Sequence, residues 1–191
     1  MPVEGWFATP VYYNYVADKN AIQSEISKVY NASSFGQVEG WGNSTHYVSD
    51  PTFNSNIIEQ HNLVNLEQEI KHNVAMYTAE LGGDVTKKFK IASCWLTRTK
   101  PGEYTRIHNH GYSDVSGVYY FKTNGNDGDL VLVAPYTNLT SMPFAKILDT
   151  VTYKPEEGKM VLFPGWLNHT VSENDTNDER ISVSFNVYFD R

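Results

Sequence analysis

From Lys88 to the C-terminus the chain is an unbroken succession of short period-two runs, and this restricts its fold more than any other feature. β-Branched and aromatic residues gather in Lys88–Thr99, Tyr104–His110, Val115–Lys122, Asp129–Ala134, Thr150–Lys154, Lys159–Phe163, Thr170–Glu173 and Ile181–Phe189. Turn-forming groups separate many of them, among them Lys100-Pro-Gly102, Thr123-Asn-Gly-Asn-Asp-Gly128, Pro155-Glu-Glu-Gly158 and Asn174-Asp-Thr-Asn-Asp178. Eight strands with no helix between them predict a sandwich or barrel, because each apolar strand face must be buried against another layer.

The first half follows a different period. A short β segment near Thr9–Tyr15 precedes an amphipathic stretch from Asp18 to Tyr30, then a Ser, Gly and Asn-rich loop from Asn31 to Ser55. Between Asn56 and Leu81, the residues Leu63, Leu66, Ile70, Val74, Tyr77 and Leu81 recur at intervals of three and four, which predicts one helix ended by Gly82-Gly83. With no linker or repeat in view, residues 1–191 are expected to form a single α+β domain. Its helical support spans about 16–85 and packs on the outside of a β core spanning about 86–191. The loop at 31–55 and the stretch Pro135–Lys146 are each long enough to serve as a lid, or equally as packed surface.

Composition removes several classes of function. Fifteen Lys and Arg against 22 Asp and Glu give a net charge of −7, a sign that repels phosphate backbones, so no nucleic-acid partner is expected. A lone Cys94 makes neither an intramolecular disulfide nor a thiolate metal site. The start lacks a basic segment followed by an apolar run, and nowhere do 18 apolar residues stand together. A cytoplasmic protein without a membrane partner is the expectation.

Of six histidines, His46, His61 and His72 have no patterned neighbour and read as solvent or interface residues. His108 and His110 differ. Two residues apart in an extended strand, they project from one face about 7 Å apart at Cα, a spacing at which two imidazoles converge on one ion. A second element, Gly158-Lys-Met-Val-Leu-Phe-Pro164-Gly-Trp-Leu-Asn-His169, runs from a turn glycine through an apolar strand to a histidine. In a jelly roll such a late strand lies across from the early one, so two distant segments supply three nitrogen ligands. A non-haem ferrous site asks for such a set, with or without a carboxylate. Eleven residues further on, Arg180 opens a strand in which Ile181, Val183, Phe185, Val187 and Phe189 alternate with Arg180, Ser182, Ser184, Asn186 and Tyr188. Its polar face suits the distal carboxylate of a dicarboxylic cosubstrate, held by the guanidinium and assisted by Ser182. In water the same face would be an ordinary strand exterior.

The segments Trp95-Leu-Thr-Arg-Thr-Lys-Pro-Gly102, His108-Asn-His110, Ser116-Gly-Val-Tyr-Tyr120, Leu162-Phe-Pro-Gly-Trp-Leu-Asn-His169 and Arg180-Ile-Ser-Val-Ser-Phe-Asn186, with the opening Trp6-Phe-Ala-Thr-Pro-Val11, resemble a family of small bacterial and phage 2-oxoglutarate/Fe(II)-dependent oxygenases. The resemblance implies a double-stranded β-helix, of jelly-roll or cupin kind, with flanking N-terminal helices. It also implies iron on His108, His110 and His169, and 2-oxoglutarate held by Arg180. Trp95, Ser116, Tyr119 and Asn186 are then candidates to line the site. The wider superfamily usually carries His-x-Asp or His-x-Glu where this chain has His108-Asn-His110, so Asp114 is kept as an alternative ligand; a loop aspartate making an Asx-turn is the cheaper explanation.

The expected activity is hydroxylation of a small-molecule, peptide or protein substrate, with decarboxylation of 2-oxoglutarate to succinate. Two readings compete. A three-histidine cupin metalloenzyme without 2-oxoglutarate, a dioxygenase or an isomerase, would use Arg180 to anchor its own substrate. A metal-free jelly roll would be a structural or binding module.

Overall fold

The computed structural model describes residues 8–41, 45–50, 52, 55–135 and 149–191. In chain order the elements are β1 (Tyr12–Tyr15), α1 (Lys19–Ala32), β2 (Gly36–Gln37), β3 (Tyr47–Val48), α2 (Ile57–His61), α3 (Val64–Glu80), β4 (Phe89–Thr99), β5 (Thr105–His108), β6 (Val115–Lys122), β7 (Leu130–Val133), β8 (Thr150–Tyr153), β9 (Lys159–Pro164), β10 (His169–Val171) and β11 (Arg180–Phe189). All eight expected strands of the second half are present.

They form two antiparallel sheets. The larger has the order β1-β9-β6-β11-β4-β3-β2 and the smaller β5-β10-β7-β8. Along the chain, the eight core strands cross from one sheet to the other at every connection except the β7–β8 hairpin, which gives a double-stranded β-helix. The expectation drawn from strand count and turn chemistry therefore holds, and two short strands extend it. β2 and β3 lie inside the segment read as a loop; at two residues each they are too short to show a period.

Side-chain parity explains where the core sits. On β11, Ile181, Val183, Phe185 and Val187 face outward against Ile22, Ile26 and Val29 of α1 and Leu66, Ile70 and Val74 of α3. The opposite face of the same sheet contributes Tyr120, Val161 and Phe163 to a second cluster with Leu130 and Leu132 of the smaller sheet. The helices thus cover one face of the larger sheet and the smaller sheet covers the other.

Local chemistry fixes the helix ends. Asp18 caps α1 by accepting the Ala21 N–H at 3.0 Å. α3 has no cap of its own, and Glu25 of α1 replaces it, accepting the N–H groups of Asn65 and Leu66 at 3.0 Å each. The single helix expected from Asn56 to Leu81 is instead two. Asn62 adopts the left-handed conformation at φ 52° and breaks the run between α2 and α3, a geometry that asparagine tolerates better than other non-glycine residues. Leu81 ends α3 as a half-exposed cap rather than a core residue. Most of the proposed lid at Pro135–Lys146 lies outside the described residues.

Candidate metal centre and its cavity

A cavity of about 260 Å³ opens between the two sheets, a little below the usual range for small-molecule sites. Three histidines stand in its wall. His108 ends β5 and pairs across the smaller sheet with His169, the first residue of β10. His110 lies two residues beyond the strand end, and its N–H donates to the Gly165 carbonyl at 2.8 Å. The strand therefore delivers His108 alone, and a turn delivers His110. That turn demands glycine at 165, where a Cβ would overlap the hydroxyl and carbonyl of Ser113.

The ligand atoms of His108, His110 and His169 lie within 4.8 Å of one another, and the ring centroids are 4.2 to 5.2 Å apart. His108 Nδ1 lies 2.7 Å from the Arg106 carbonyl and His169 Nδ1 lies 2.9 Å from the Leu167 carbonyl. Carbonyls only accept, so both Nδ1 atoms carry the proton and both Nε2 atoms are left as lone-pair donors. Burial lowers the pKa of all three rings. It is the leading cause at His110, pushed to about 4, and at His169, pushed to about 3, with the neighbouring His108 as the second cause. Neutral imidazoles are the form that binds a metal, and three of them with no thiolate suit a borderline divalent transition ion.

Arg180 stands elsewhere on the same wall. It is only 2% exposed, and its guanidinium donates to the Gly128 carbonyl at 2.6 Å and the Thr99 hydroxyl at 3.0 Å. Gly128 sits at φ 107° with a Cβ position blocked by the Ser172 carbonyl, so the carbonyl that receives Arg180 needs glycine behind it. Arg180 Nε finds no partner among the described residues, nor does a carboxylate form an ion pair with the group there. Burial lowers its pKa, offset by Tyr120 and then by the carboxylates of Asp127 and Asp129. A buried guanidinium with a spare N–H and no carboxylate partner among the described residues can accept an anion.

The structure gathers most of the residues picked out by sequence. Trp95, Ser116, Arg180 and Ser182 line the cavity together with the three histidines. Asn186 does not line it; it stands behind Ser116, accepting that hydroxyl at 2.8 Å and donating to Ser93 at 3.1 Å. Two further candidates fall elsewhere. Tyr119 points to the opposite face of β6 and packs in the core shared with the helices, while Tyr120 lines the cavity. Ser116 and Tyr119 are three apart and cannot share a strand face, so parity already favoured Tyr120. Asp114 is not part of the histidine cluster: its carboxylate accepts the Phe189 N–H at 2.8 Å and lies 3.5 Å from Arg191, fastening the end of β11.

His61 and His72 are exposed, as expected, whereas His46 is 4% exposed and lines the cavity beside Trp41. Both come from the segment read as a loop, where no periodicity marks an inward side chain.

The model of a family described as "Putative 2OG-Fe(II) oxygenase" matches residues 93–186. No curated protein sequence matches significantly. Among solved structures, the chain is similar to the non-haem α-ketoglutarate-dependent epimerase SnoN of nogalamycin biosynthesis, at TM-score 0.67 and 10% identity over 94% of this chain and 77% of that one. It is also similar to HygX from Streptomyces hygroscopicus, solved with nickel, 2-oxoglutarate and hygromycin B, at 0.62 and 10% over 94% and 83%. A prolyl hydroxylase from Trichoplax adhaerens, in complex with a hypoxia-inducible-factor peptide fragment, aligns at 0.64 and 14% over 94% and 82%. At these identities the likeness is one of fold.

Proposed function

We infer that this chain, a 2-oxoglutarate/Fe(II)-dependent oxygenase by its matched core at residues 93–186, hydroxylates a C–H bond of a substrate presented beside the histidine cluster. The observation that carries the reading is a pairing within one cavity: three neutral imidazoles within 4.8 Å, and a buried guanidinium with no anionic partner among the described residues. His108, His110 and His169 would hold Fe(II), and Arg180, assisted by Ser182, would hold the distal carboxylate of 2-oxoglutarate.

Together the bound iron and cosubstrate supply the oxidising chemistry, in which O₂, 2-oxoglutarate and R–H become R–OH, succinate and CO₂. The chain's own residues do the rest. Hydrogen bonds from Nδ1 to the Arg106 and Leu167 carbonyls fix the tautomer and ring orientation of two ligands, and they raise the basicity of the coordinating nitrogens. Trp41, Trp95 and Phe163 close the cavity around the histidines and limit water. Thr99 and Gly128 hold the guanidinium in place before any ligand arrives, which reduces the ordering cost of binding.

Ile107, Tyr112 and Trp166 are exposed apolar side chains that neighbour the ligand-bearing segments, a surface on which a substrate can rest while one bond reaches the metal. The related folds described above accept a small molecule in one case and a peptide in another. A substrate of either size fits this reading.

The all-histidine donor set favours one rival, a three-histidine metalloenzyme that does not use 2-oxoglutarate. Calorimetry on metal-loaded protein and assay of succinate formation with candidate substrates separate the two. Binding of 2-oxoglutarate with succinate release supports the oxygenase. Failure of a well-folded, metal-loaded protein to bind 2-oxoglutarate removes it.

A further inference from the structure

The cavity contains a buried polar side chain that has no part in the metal cluster or in the support of Arg180. His46 is 4% exposed, lines the cavity, and its Nδ1 has no hydrogen-bond partner among the described residues. Its backbone N–H donates to the Tyr104 carbonyl at 2.9 Å, and the ring meets the edge of Trp41 at 5.4 Å between centroids. Trp41 in turn meets His108 at 5.1 Å.

Sheet register relates His46 to Arg180. His46 immediately precedes Tyr47, which pairs with Arg98 of β4. Thr99 follows Arg98, pairs with Arg180 of β11 and accepts its guanidinium. His46 thus enters the cavity one residue outside this pairing, the imidazole and the guanidinium line the same cavity near enough to interact electrostatically, and each leaves a buried nitrogen without a partner among the described residues. Two unsatisfied buried nitrogens at the edge of one cavity call for a ligand that satisfies both. His46 is not a fourth metal ligand, because the set of mutually close ligand atoms comprises only His108, His110 and His169 among the described residues. Burial, followed by the neighbouring His108, lowers its pKa to about 4, so at neutral pH it brings a neutral N–H rather than a second charge.

We propose that His46 is a second donor to the distal carboxylate of 2-oxoglutarate, its Nδ1–H bonded to the group that Arg180 neutralises, and that it thereby sets the preference for dicarboxylic over monocarboxylic 2-oxoacids. This rests on the reading of the cavity given above. The tautomer required carries its proton on Nδ1. A hydrogen bond from a neutral donor to a buried carboxylate accounts for about a 10- to 100-fold preference.

The test titrates Zn(II)-loaded protein by calorimetry with 2-oxoglutarate and with 2-oxopentanoate, which keeps the 2-oxoacid end and lacks the distal carboxylate. His46→Leu should weaken 2-oxoglutarate about 10- to 100-fold and leave 2-oxopentanoate and the zinc stoichiometry unchanged. His46→Asn, which retains an N–H near the position of Nδ1, should recover most of the loss. Equal weakening of both acids, or none of 2-oxoglutarate, overturns the assignment. Wild-type protein labelled with ¹⁵N-histidine gives a readout independent of how the variants fold. 2-Oxoglutarate, but not 2-oxopentanoate, should shift one protonated Nδ1 signal that His46→Asn lacks, and absence of that difference also overturns the proposal. Wild-type protein that binds zinc but neither acid removes the cosubstrate reading itself, whereas tight binding insensitive to His46 removes this inference alone.

Discussion

Replacing Arg180 by methionine should uncouple two properties that usually fall together, stability and ligand affinity. The substitution removes two protein hydrogen bonds, to the Gly128 carbonyl and the Thr99 hydroxyl, and leaves those acceptors buried at about 1–3 kcal/mol each. It also removes a buried cation with no carboxylate partner among the described residues, which returns a desolvation cost of several kcal/mol. The two contributions oppose each other at similar size. The ligand-free Arg180→Met protein should therefore lie within about 2 kcal/mol of wild type, a Tm shift of no more than about 8 °C for a chain of this length. Binding of 2-oxoglutarate has no such compensation. Truncating one partner of a buried charge pair costs about 2–5 kcal/mol, or roughly 30- to 5,000-fold in Kd. Calorimetry on the zinc-loaded variant and thermal melts with and without 2-oxoglutarate measure both quantities, the second through the ligand-dependent rise in Tm. A variant that binds 2-oxoglutarate within threefold of wild type would refute the reasoning. So would a ligand-free protein destabilised by more than about 5 kcal/mol, since Arg180 would then be a strut of the fold rather than a receptor.

Asp114→Ala should leave metal stoichiometry unchanged in a Co(II) titration and cost about 1 kcal/mol of stability through the lost bond to the Phe189 N–H; loss of metal binding would restore Asp114 as a ligand. Gly165→Ala forces a Cβ against Ser113 and should cost about 1–3 kcal/mol while weakening metal binding through displaced His110; an unchanged cobalt spectrum and Tm would contradict this account of the turn. The pH dependence follows from rings whose pKa is depressed in the fold. Between pH 6.5 and about 4 the unfolded chain binds more protons at His46, His110 and His169, so metal-free stability should fall as pH falls through that window, by ~1.4 kcal/mol per unit for each fully titrating ring. Denaturant melts at pH 7 and pH 5 measure the slope, and equal midpoints would show that the rings titrate normally.

The β core was legible because every link in it is local. Period-two runs, turn residues and the parity of β11 are properties of adjacent residues, and they placed the strands and the polar face of Arg180 and Ser182 correctly. His108 and His169 could be paired because a jelly roll fixes which strands meet, and the cross-strand register of these two residues bears that out. His46 was not legible. It enters the cavity from a segment with no period, through a two-residue strand whose pairing with β4 depends on tertiary contacts. Tyr119 was misplaced for a different reason, since its spacing from Ser116 already put it on the other face. The split between α2 and α3 turns on one asparagine, and helical spacing of apolar residues continues across it.

The pairing of β3 with β4 has a consequence for how this protein can diverge. Residues 93–186 contain the whole histidine triad and Arg180, yet Trp41 and His46 reach the cavity from upstream of that span. One wall of the chamber is thus borrowed from the least patterned stretch of the protein. Changes there can reshape the chamber while the histidine triad and Arg180 stay untouched, and a protein trimmed to the matched span would keep those four residues but lose the partition that encloses them.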